Sequence, residues 1–322
     1  MKSVLAKNNA VLGTEPYAHM SFLVTAPQRV LALRLALARA IRPNSVVLDA
    51  GCGALGVLAL MAAKAGAAKV IAVDVGDLEL ARRLAEENGV ADRIVHVQGD
   101  LHEVLIPAES FDVIIGMIYN CEIKLDLPQQ NLMRALGERH ARADTIFIPN
   151  KVQYSVTGSY LPGVDFNPSK RRVELERHID NAERYTGMTF SACREMVRQD
   201  PWQSQSSEGK IRLPSYSHIG HFDRSNLTTL TERTPFSEIC YNDRPEQYLY
   251  PETCSLPVIH PGRCNAVIWQ QDLVFDDILI RTTETINLAT PPSIVEPGMT
   301  VTLHTGQDWG KTVRIDTHRE RQ

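Results

Sequence analysis

The feature that most constrains this chain is a glycine cluster that stands between a short apolar run and a helical pattern. Gly51, Gly53 and Gly56 form a G-x-G-x-x-G pattern directly after the apolar residues 46–48. In such a turn the first two glycines let the chain bend tightly and let a ligand approach the backbone. The third glycine lets the helix pack closely on the strand. The pattern therefore predicts a strand, a ligand-binding turn and a helix in succession.

Apolar runs and helical patterns alternate on both sides of this turn. Alternation of strands and helices is typical of a parallel, doubly wound sheet, so we predict a Rossmann-type α/β sheet. Helices are expected at 29–41, 57–65 and 78–88, and strands at 46–48, 70–73, 94–97 and 111–115.

The character of the chain changes after residue 150. From about residue 211 onwards, short β-rich runs are separated by Pro, Gly, Asn and Asp, as at Pro291-Pro292. This pattern is typical of an all-β sandwich or barrel. A length of 322 residues, against about 150 for one domain, also indicates two domains. We predict an N-terminal segment at 1–28, a Rossmann domain at 29–150 and a mainly β, barrel-like domain for substrate binding or dimerisation at 151–322.

Composition disfavours several classes of function. The formal net charge of −4 gives no basic surface for nucleic acid or for an anionic membrane. The six cysteines are scattered without a C-x-x-C pair, which indicates reduced thiols and neither a disulfide framework nor a metal site. We find no signal-peptide pattern and no apolar stretch of the roughly 18–20 residues that span a bilayer. We therefore expect a soluble, cytoplasmic protein.

Acidic residues stand where the predicted parallel strands end. Asp49 lies two residues before Gly51, Asp74 ends the next strand, and Gly99-Asp100 end the strand after that. A carboxylate at the position of Asp74 accepts hydrogen bonds from both hydroxyls of a ribose. These residues predict a ligand that contains adenosine. The alternatives are a nicotinamide dinucleotide, which shares the glycine pattern, and a purely structural turn with solvated acids.

A family resemblance is carried by VLDAGCGALGVLALMAAKAGAAKVIAVDV, GDLHEVLIP and FDVII, and more moderately by Tyr17-Ala18-His19, RYTGMTFS, CNAVIWQQDLVF and PSIVEPGMTV. These stretches resemble class I S-adenosylmethionine-dependent methyltransferases and, among them, the protein arginine methyltransferases. The resemblance implies S-adenosylmethionine as cofactor, a Rossmann domain followed by a β-barrel, and a homodimer. The cofactor-binding residues it implies are Arg29, Asp49, Gly51, Cys52, Gly53, Gly56, Asp74, Val75, Asp100 and Leu101.

The segments with which that family handles arginine are altered here. The family holds the guanidinium with two glutamates after the fourth strand, and an ungapped count from Asp112 places Met117 at the first and Asp126 at the second. A methionine cannot supply the planar, bidentate contact that a guanidinium needs. The family's threonine-histidine-tryptophan loop is also unmatched. The segment that aligns best with this loop is Ile280-Arg281-Thr282, in which the cation Arg281 stands in place of the histidine.

The acceptor of the methyl group is expected at the loop 116–126, because ligands of open α/β sheets bind beyond the carboxyl ends of the strands. Glu122 or Asp126 is predicted as the base, and Tyr119 and Asn120 as residues that orient the acceptor. The structural alternative is that the two acids simply belong to a solvent-exposed face of the segment, on which charged and other residues alternate. Further candidates, for which structural roles are favoured, are His19, His178 and Arg281.

Three hypotheses about function remain open at this point. The favoured one is a methyltransferase that acts on a small molecule or natural product, because the first loop glutamate is missing; a small-molecule partner is then expected rather than a protein. The second is an arginine N-methyltransferase in which Glu122 and Asp126 form a rearranged acid pair. The third is a protein that binds S-adenosylmethionine without transferring methyl. The polar residues 195–230 are a candidate dimerisation arm.

Overall fold

The structure of the protein is a computed structural model. It describes residues 27–106, 110–119, 123–161, 227–243, 245–305 and 312–319, with short pieces between 176 and 195. The predictions for His19, Asn120, Glu122 and His178, and for most of the arm at 195–230, concern residues outside this described part of the chain.

The first sheet has five strands in the order β3-β2-β1-β4-β5, and every neighbouring pair is parallel. Leu48 of the central strand pairs with Ile71 on one side and with Ile114 on the other. Near-continuous apolar runs form these strands because a parallel sheet is buried on both faces. The predicted Rossmann-type sheet is confirmed. Its strands are β1 (Val46–Ala50), β2 (Lys69–Asp74), β3 (Ile94–Gln98), β4 (Phe111–Ile115) and β5 (Ala141–Ile148).

Helices connect these strands, and glycines set two of their boundaries. Gly56 adopts a left-handed conformation, with φ of 55°, immediately before α2, and Gly89 does so, with φ of 65°, just after α3. Glycine adopts this conformation without steric cost, so the chain turns there. The helices are α1 (Pro27–Ala40), α2 (Val57–Lys64), α3 (Glu79–Glu87) and α4 (Ile123–His140), with a 3₁₀ turn at Ala91–Arg93.

The second sheet has eight strands, of which seven follow the order β7-β6-β10-β11-β13-β12-β9, while β8 pairs with β6. It is mixed, since β12 is antiparallel to β9 and β13 whereas β11 is parallel to β13. The predicted β-rich second part is confirmed. Its strands are β6 (Lys151–Tyr160), β7 (Thr228–Thr229), β8 (Thr234–Cys240), β9 (Thr253–Pro257), β10 (Gly262–Phe275), β11 (Ile278–Val295), β12 (Met299–His304) and β13 (Thr312–Arg319).

One part of the sequence prediction is wrong in this sheet. The sequence predicts that Pro291-Pro292 separates two β-rich runs, but the single strand β11 continues through both prolines. Ile280-Arg281-Thr282 therefore lies inside a strand and does not form a loop.

The described residues fall into two compact units. The first holds the described residues up to Tyr154 together with Pro235–Tyr250 and Gln270–Thr283, and the second holds the rest. The domain limits predicted at residues 28 and 150 stay a prediction. Among the described residues, no helix combines the length and the apolar character that crossing a membrane requires.

The core of the parallel sheet is tested at Ile71, which is fully buried at the middle of β2. We expect Ile71→Ala to lower the free energy of unfolding by about 2–5 kcal/mol, because it leaves a cavity between β1 and β3. Urea unfolding followed by circular dichroism measures this loss. The control is Val95→Ala on β3, whose side chain pairs with Ile71 in register but is 39% exposed. Its expected loss is below about 1 kcal/mol, and equal losses would contradict the assignment of this core.

Candidate functional site

The turn that follows β1, residues Gly51–Gly53, is here called the glycine turn. Gly51 has φ of 74° and Gly53 has φ of 69°, and both values lie in the region that favours glycine. The backbone N–H groups of Gly51 and Cys52 donate to the carbonyl oxygen of Val73, at 2.9 and 3.0 Å. A Cβ atom at Gly51 would clash with Ile118, so the turn also lies against the segment after β4. The glycine turn is thus fixed to the end of β2.

Asp74 completes this connection with its side chain. One carboxylate oxygen accepts the backbone N–H of Gly53 and the other accepts that of Gly76, each at 2.8 Å. Its carbonyl oxygen accepts the N–H of Gly99 at 2.8 Å, which brings the end of β3 to the same edge. Each carboxylate oxygen has a second lone pair, so the half-buried Asp74 can still accept hydrogen bonds from a ligand.

Asp49 lies at the same edge but in a different environment. Its side chain is buried, and neither carboxylate oxygen has a hydrogen-bond partner among the described residues. The pKa of Asp49 is raised to about 7, chiefly by burial and also by the nearby carboxylate of Asp74, while the backbone N–H of Ala59 opposes both effects only in part. A carboxylate without partners in this position is stabilised when it takes up a proton or binds a cationic ligand.

The other residues predicted to bind the cofactor are spread around this edge. Burial and the carboxylates of Asp49 and Asp74 raise the pKa of the Cys52 thiol, so the thiol is not a nucleophile. Gly56 lies close to Ala81 of α3, where an added Cβ would have a tight contact. The remaining predicted residues lie in various environments: Arg29 is half-buried in the first turn of α1, Val75 and Asp100 are exposed, and Leu101 is buried.

The segment predicted to hold the acceptor begins at Gly116, directly after β4. Its Tyr119 is buried, and its hydroxyl forms a hydrogen bond with the hydroxyl of Tyr241. Burial raises the pKa of Tyr119 well above its ordinary value, so this hydroxyl stays protonated. The predicted loop is shorter than expected: α4 begins at Ile123, and Asp126 lies in the first turn of this helix.

Asp126 is not on a solvated face, because the structure buries it completely. One of its carboxylate oxygens accepts hydrogen bonds from the hydroxyl of Tyr154, at 3.2 Å, and from the side-chain amide of Gln271. The side chains linked to it by hydrogen bonds are buried or half-buried. This group, here called the Asp126 network, consists of Asp126, Gln130, Tyr154, Tyr250, Gln271 and Arg281.

The donors of the Asp126 network fix the direction of its hydrogen bonds. Arg281 can only donate, and it donates to the amide oxygen of Gln271. The amide nitrogen of Gln271 must therefore donate, and it does so to Asp126 and to the hydroxyl of Tyr154, at 3.1 Å from the latter. Tyr154 also accepts from Gln130 at 2.7 Å, so its own hydrogen is directed to Asp126. Both donors therefore converge on one oxygen of the Asp126 carboxylate.

Sequence reasoning missed four members of this network, Gln130, Tyr154, Tyr250 and Gln271. No local sequence pattern marks these four residues. Gln271, for example, lies 145 positions from Asp126, whose carboxylate it binds.

The structure also bears on metal binding: within the described part of the chain, no three His, Cys, Asp or Glu side chains come together as metal ligands.

Similarity to known proteins is strongest around the glycine turn. Residues 29–129 match the family described as ribosomal protein L11 methyltransferase. The protein arginine N-methyltransferase 1 of Saccharomyces cerevisiae is 40% identical over 163 residues, which cover 46% of this chain and 46% of that protein. The enzyme of the same name from Schizosaccharomyces pombe is 28% identical over 167 residues, 46% of this chain and 47% of that protein. The chain thus spans about half the length of these curated relatives.

Solved structures resemble the fold over a larger share of the chain. The enzyme–prozyme heterotetrameric complex of Trypanosoma brucei protein arginine methyltransferase 1 with S-adenosylhomocysteine has a TM-score of 0.59 at 21% identity, covering 94% of this chain and 92% of its own. Protein arginine methyltransferase 10 of Arabidopsis thaliana has a TM-score of 0.58 at 16% identity, covering 89% and 87%. At such identities the likeness shows the fold.

These similarities confirm the predicted resemblance to class I S-adenosylmethionine-dependent methyltransferases and, among them, to the arginine methyltransferases. The family match supports S-adenosylmethionine over a nicotinamide dinucleotide as the cofactor. The two curated relatives are named arginine N-methyltransferases, whereas the sequence alone favours a small-molecule acceptor.

The Asp126 network is tested by Gln271→Leu, which has similar volume and cannot donate or accept. We expect it to lower the free energy of unfolding by about 1–3 kcal/mol, because Asp126 loses a donor in a buried site. Chemical denaturation measures the change. The control is Gln270→Leu: this neighbouring residue is half-buried and donates to Asp272 instead. A loss at Gln271 no larger than at Gln270 would mean that the network adds nothing to stability.

Proposed function

We propose that this protein is an S-adenosylmethionine-dependent methyltransferase whose acceptor is the guanidino group of arginine in a protein or peptide. The observation that carries the proposal is the glycine turn, which is held by Asp74. The turn lies within residues 29–129, which match a methyltransferase family, in a chain that is 40% identical to an arginine methyltransferase over 163 residues. The five-stranded parallel sheet places this turn at the carboxyl ends of its strands, where open α/β folds bind ligands.

The residues present fit such a cofactor. In this proposal Asp74 accepts the ribose hydroxyls through its remaining lone pairs, and Asp100 lies at the end of β3 towards the adenine. The unpartnered carboxylate of Asp49 faces the cationic methionine end, and Arg29 pairs with the methionine carboxylate. Gly51 has no side chain, and Ile118 occupies the space that a Cβ atom would fill there. When bound, the cofactor supplies an electrophilic sulfonium methyl group.

The acceptor side must hold a guanidinium without the first acid of the family. Met117 offers no carboxylate. Asp126 is fully buried and already accepts hydrogen bonds from Tyr154 and Gln271. In the segment from Gly116 to Asp126 this leaves Glu122 as the acid for direct contact with the acceptor. We propose that Glu122 binds the guanidinium and that Asp126 stabilises the first turn of α4 behind it. Asn120 is proposed to orient the acceptor, and Tyr119, whose buried hydroxyl is bonded to Tyr241, is proposed to support the segment from within. A homodimer is proposed as the working assembly.

The cofactor site is tested by Asp74→Ala. We expect S-adenosylmethionine to bind about 5- to 150-fold more weakly, the equivalent of 1–3 kcal/mol for lost charge-assisted hydrogen bonds. Isothermal titration calorimetry measures the affinity. Asp92→Ala, in the 3₁₀ turn and exposed, is the control and should bind like the wild type. Unchanged affinity in the Asp74 variant would show that the cofactor binds elsewhere.

The acceptor is tested by mass spectrometry after incubation with S-adenosylmethionine and an arginine-rich peptide. We expect a gain of one methyl mass on arginine and no gain on the same peptide with lysine in place of arginine. Glu122→Gln should lower kcat/KM for the peptide by about 100-fold or more, because a neutral amide cannot pair with a guanidinium, while cofactor affinity stays the same.

Two other outcomes decide between the alternatives. Methylation of free arginine or of another small molecule, but not of the peptide, would replace the protein substrate by a small acceptor. Cofactor binding with no methylated product on any acceptor would favour a protein that binds S-adenosylmethionine without transferring methyl.

A further inference from the structure

The inference concerns Asp49, the carboxylate at the end of β1. Its backbone pairs with Ala72 of β2 on one side and with Ile115 of β4 on the other, so the residue lies in the centre of the parallel sheet. The side chain is only 1% exposed, and both of its oxygens are buried without a hydrogen-bond partner among the described residues. A buried charge without partners is strongly unfavourable, and a carboxylate avoids this state by taking up a proton.

The groups that face Asp49 do not supply the missing positive charge. From β2 the facing group is the carboxylate of Asp74, which disfavours a second negative charge. From the glycine turn it is the thiol of Cys52, which burial keeps protonated and neutral. From α2 it is the backbone N–H of Ala59, a dipole that offsets only part of the effect of burial. Burial therefore raises the pKa of Asp49 to about 7, against an ordinary value of 3.8.

The other buried aspartate of the unit shows what a stable buried carboxylate looks like in this protein. Asp126 is as deeply buried, yet one of its oxygens accepts hydrogen bonds from Tyr154 and Gln271. Such donors stabilise the ionised form, whereas the oxygens of Asp49 lack them. The difference indicates that Asp49 meets its partner only when a ligand is bound.

We propose that Asp49 holds a proton while the cofactor site is empty and releases it to solvent when the cationic methionine end of the cofactor binds. Proton and cofactor then compete for one carboxylate. This inference rests on the proposed function, because it takes S-adenosylmethionine as the ligand. The balance is simple: the carboxyl O–H bond breaks, the proton goes to the buffer, and the ammonium group of the cofactor keeps its own protons.

The competition makes cofactor affinity depend on pH in one direction. Below pH 7 the free protein must lose a proton before it can bind, so the affinity falls as the pH falls. We expect about a fivefold loss from pH 7 to pH 6 and about a further tenfold loss to pH 5, with little change just above pH 7. The range must stay below about pH 7.5, because an α-amino group itself titrates near pH 7.7–8.0.

The experiment is calorimetric titration of the full chain with S-adenosylmethionine at pH 6.5 in two buffers of different ionisation enthalpy, phosphate and imidazole. The difference in measured heat between the buffers gives the number of protons released on binding. We expect most of one proton for the wild type and about none for Asp49→Asn, which has no proton to exchange. Asp92→Asn, an exposed acid away from the glycine turn, should release the same amount as the wild type.

The outcomes separate this inference from the proposed function. Binding of the wild type with heats that do not depend on the buffer would overturn the proton exchange and leave the cofactor assignment intact. Equal release by the wild type and Asp49→Asn would move the exchange to another group and overturn the role of Asp49. An absence of binding at any pH would reject the cofactor itself. If the Asn variant does not fold, Asp49→Ser takes its place in the same titration, and proton release equal to that of the wild type would again overturn the role of Asp49.

Discussion

The connection between the glycine turn and β2 is the constraint on which the rest of the site depends. Three successive backbone N–H groups, those of Gly51, Cys52 and Gly53, donate to the last two residues of β2. This arrangement requires positive φ at Gly51 and Gly53, which a residue with a Cβ adopts only with strain. Because the turn is fixed in this way, the carboxylate of Asp74 is held at the edge of the sheet. The position of the polar groups at this edge thus follows from backbone geometry.

Much of the parallel sheet could be predicted, because its strands carry their own signal. Four of its five strands are nearly continuous apolar runs, and the glycine turn and Gly89 mark where the chain reverses. The helix α4 was missed for an equally physical reason. It contains Pro128 and Gly137, which are unfavourable inside a helix although most of the other residues are good helix formers. Packing of α4 against β5 overrides that propensity.

The environments of the two buried aspartates could not be predicted, although both residues were named as candidates. Asp49 is surrounded by residues from three elements, and its lack of a partner is a property of their packing. Asp126 depends on Tyr154 and on Gln271, which is 145 positions away. A pattern within one segment contains no information about a donor that arrives from another part of the chain. Sequence reasoning therefore identified the chemical groups at the site, and the fold determined which of them is satisfied.

The contrast between these two aspartates explains how one site can serve both binding and stability. Asp126 has donors that satisfy its charge without a ligand, so a ligand gains little by approaching it and the residue stabilises the structure at all times. Asp49 has no such donors, so it takes up a proton in the free protein, and a cationic ligand that displaces this proton gains a carboxylate without other partners. Asp74 differs again, because its oxygens accept the N–H groups of Gly53 and Gly76 and keep further lone pairs for a ligand. In the proposed function Asp49 and Asp74 therefore serve binding, whereas the Asp126 network holds α4 in place.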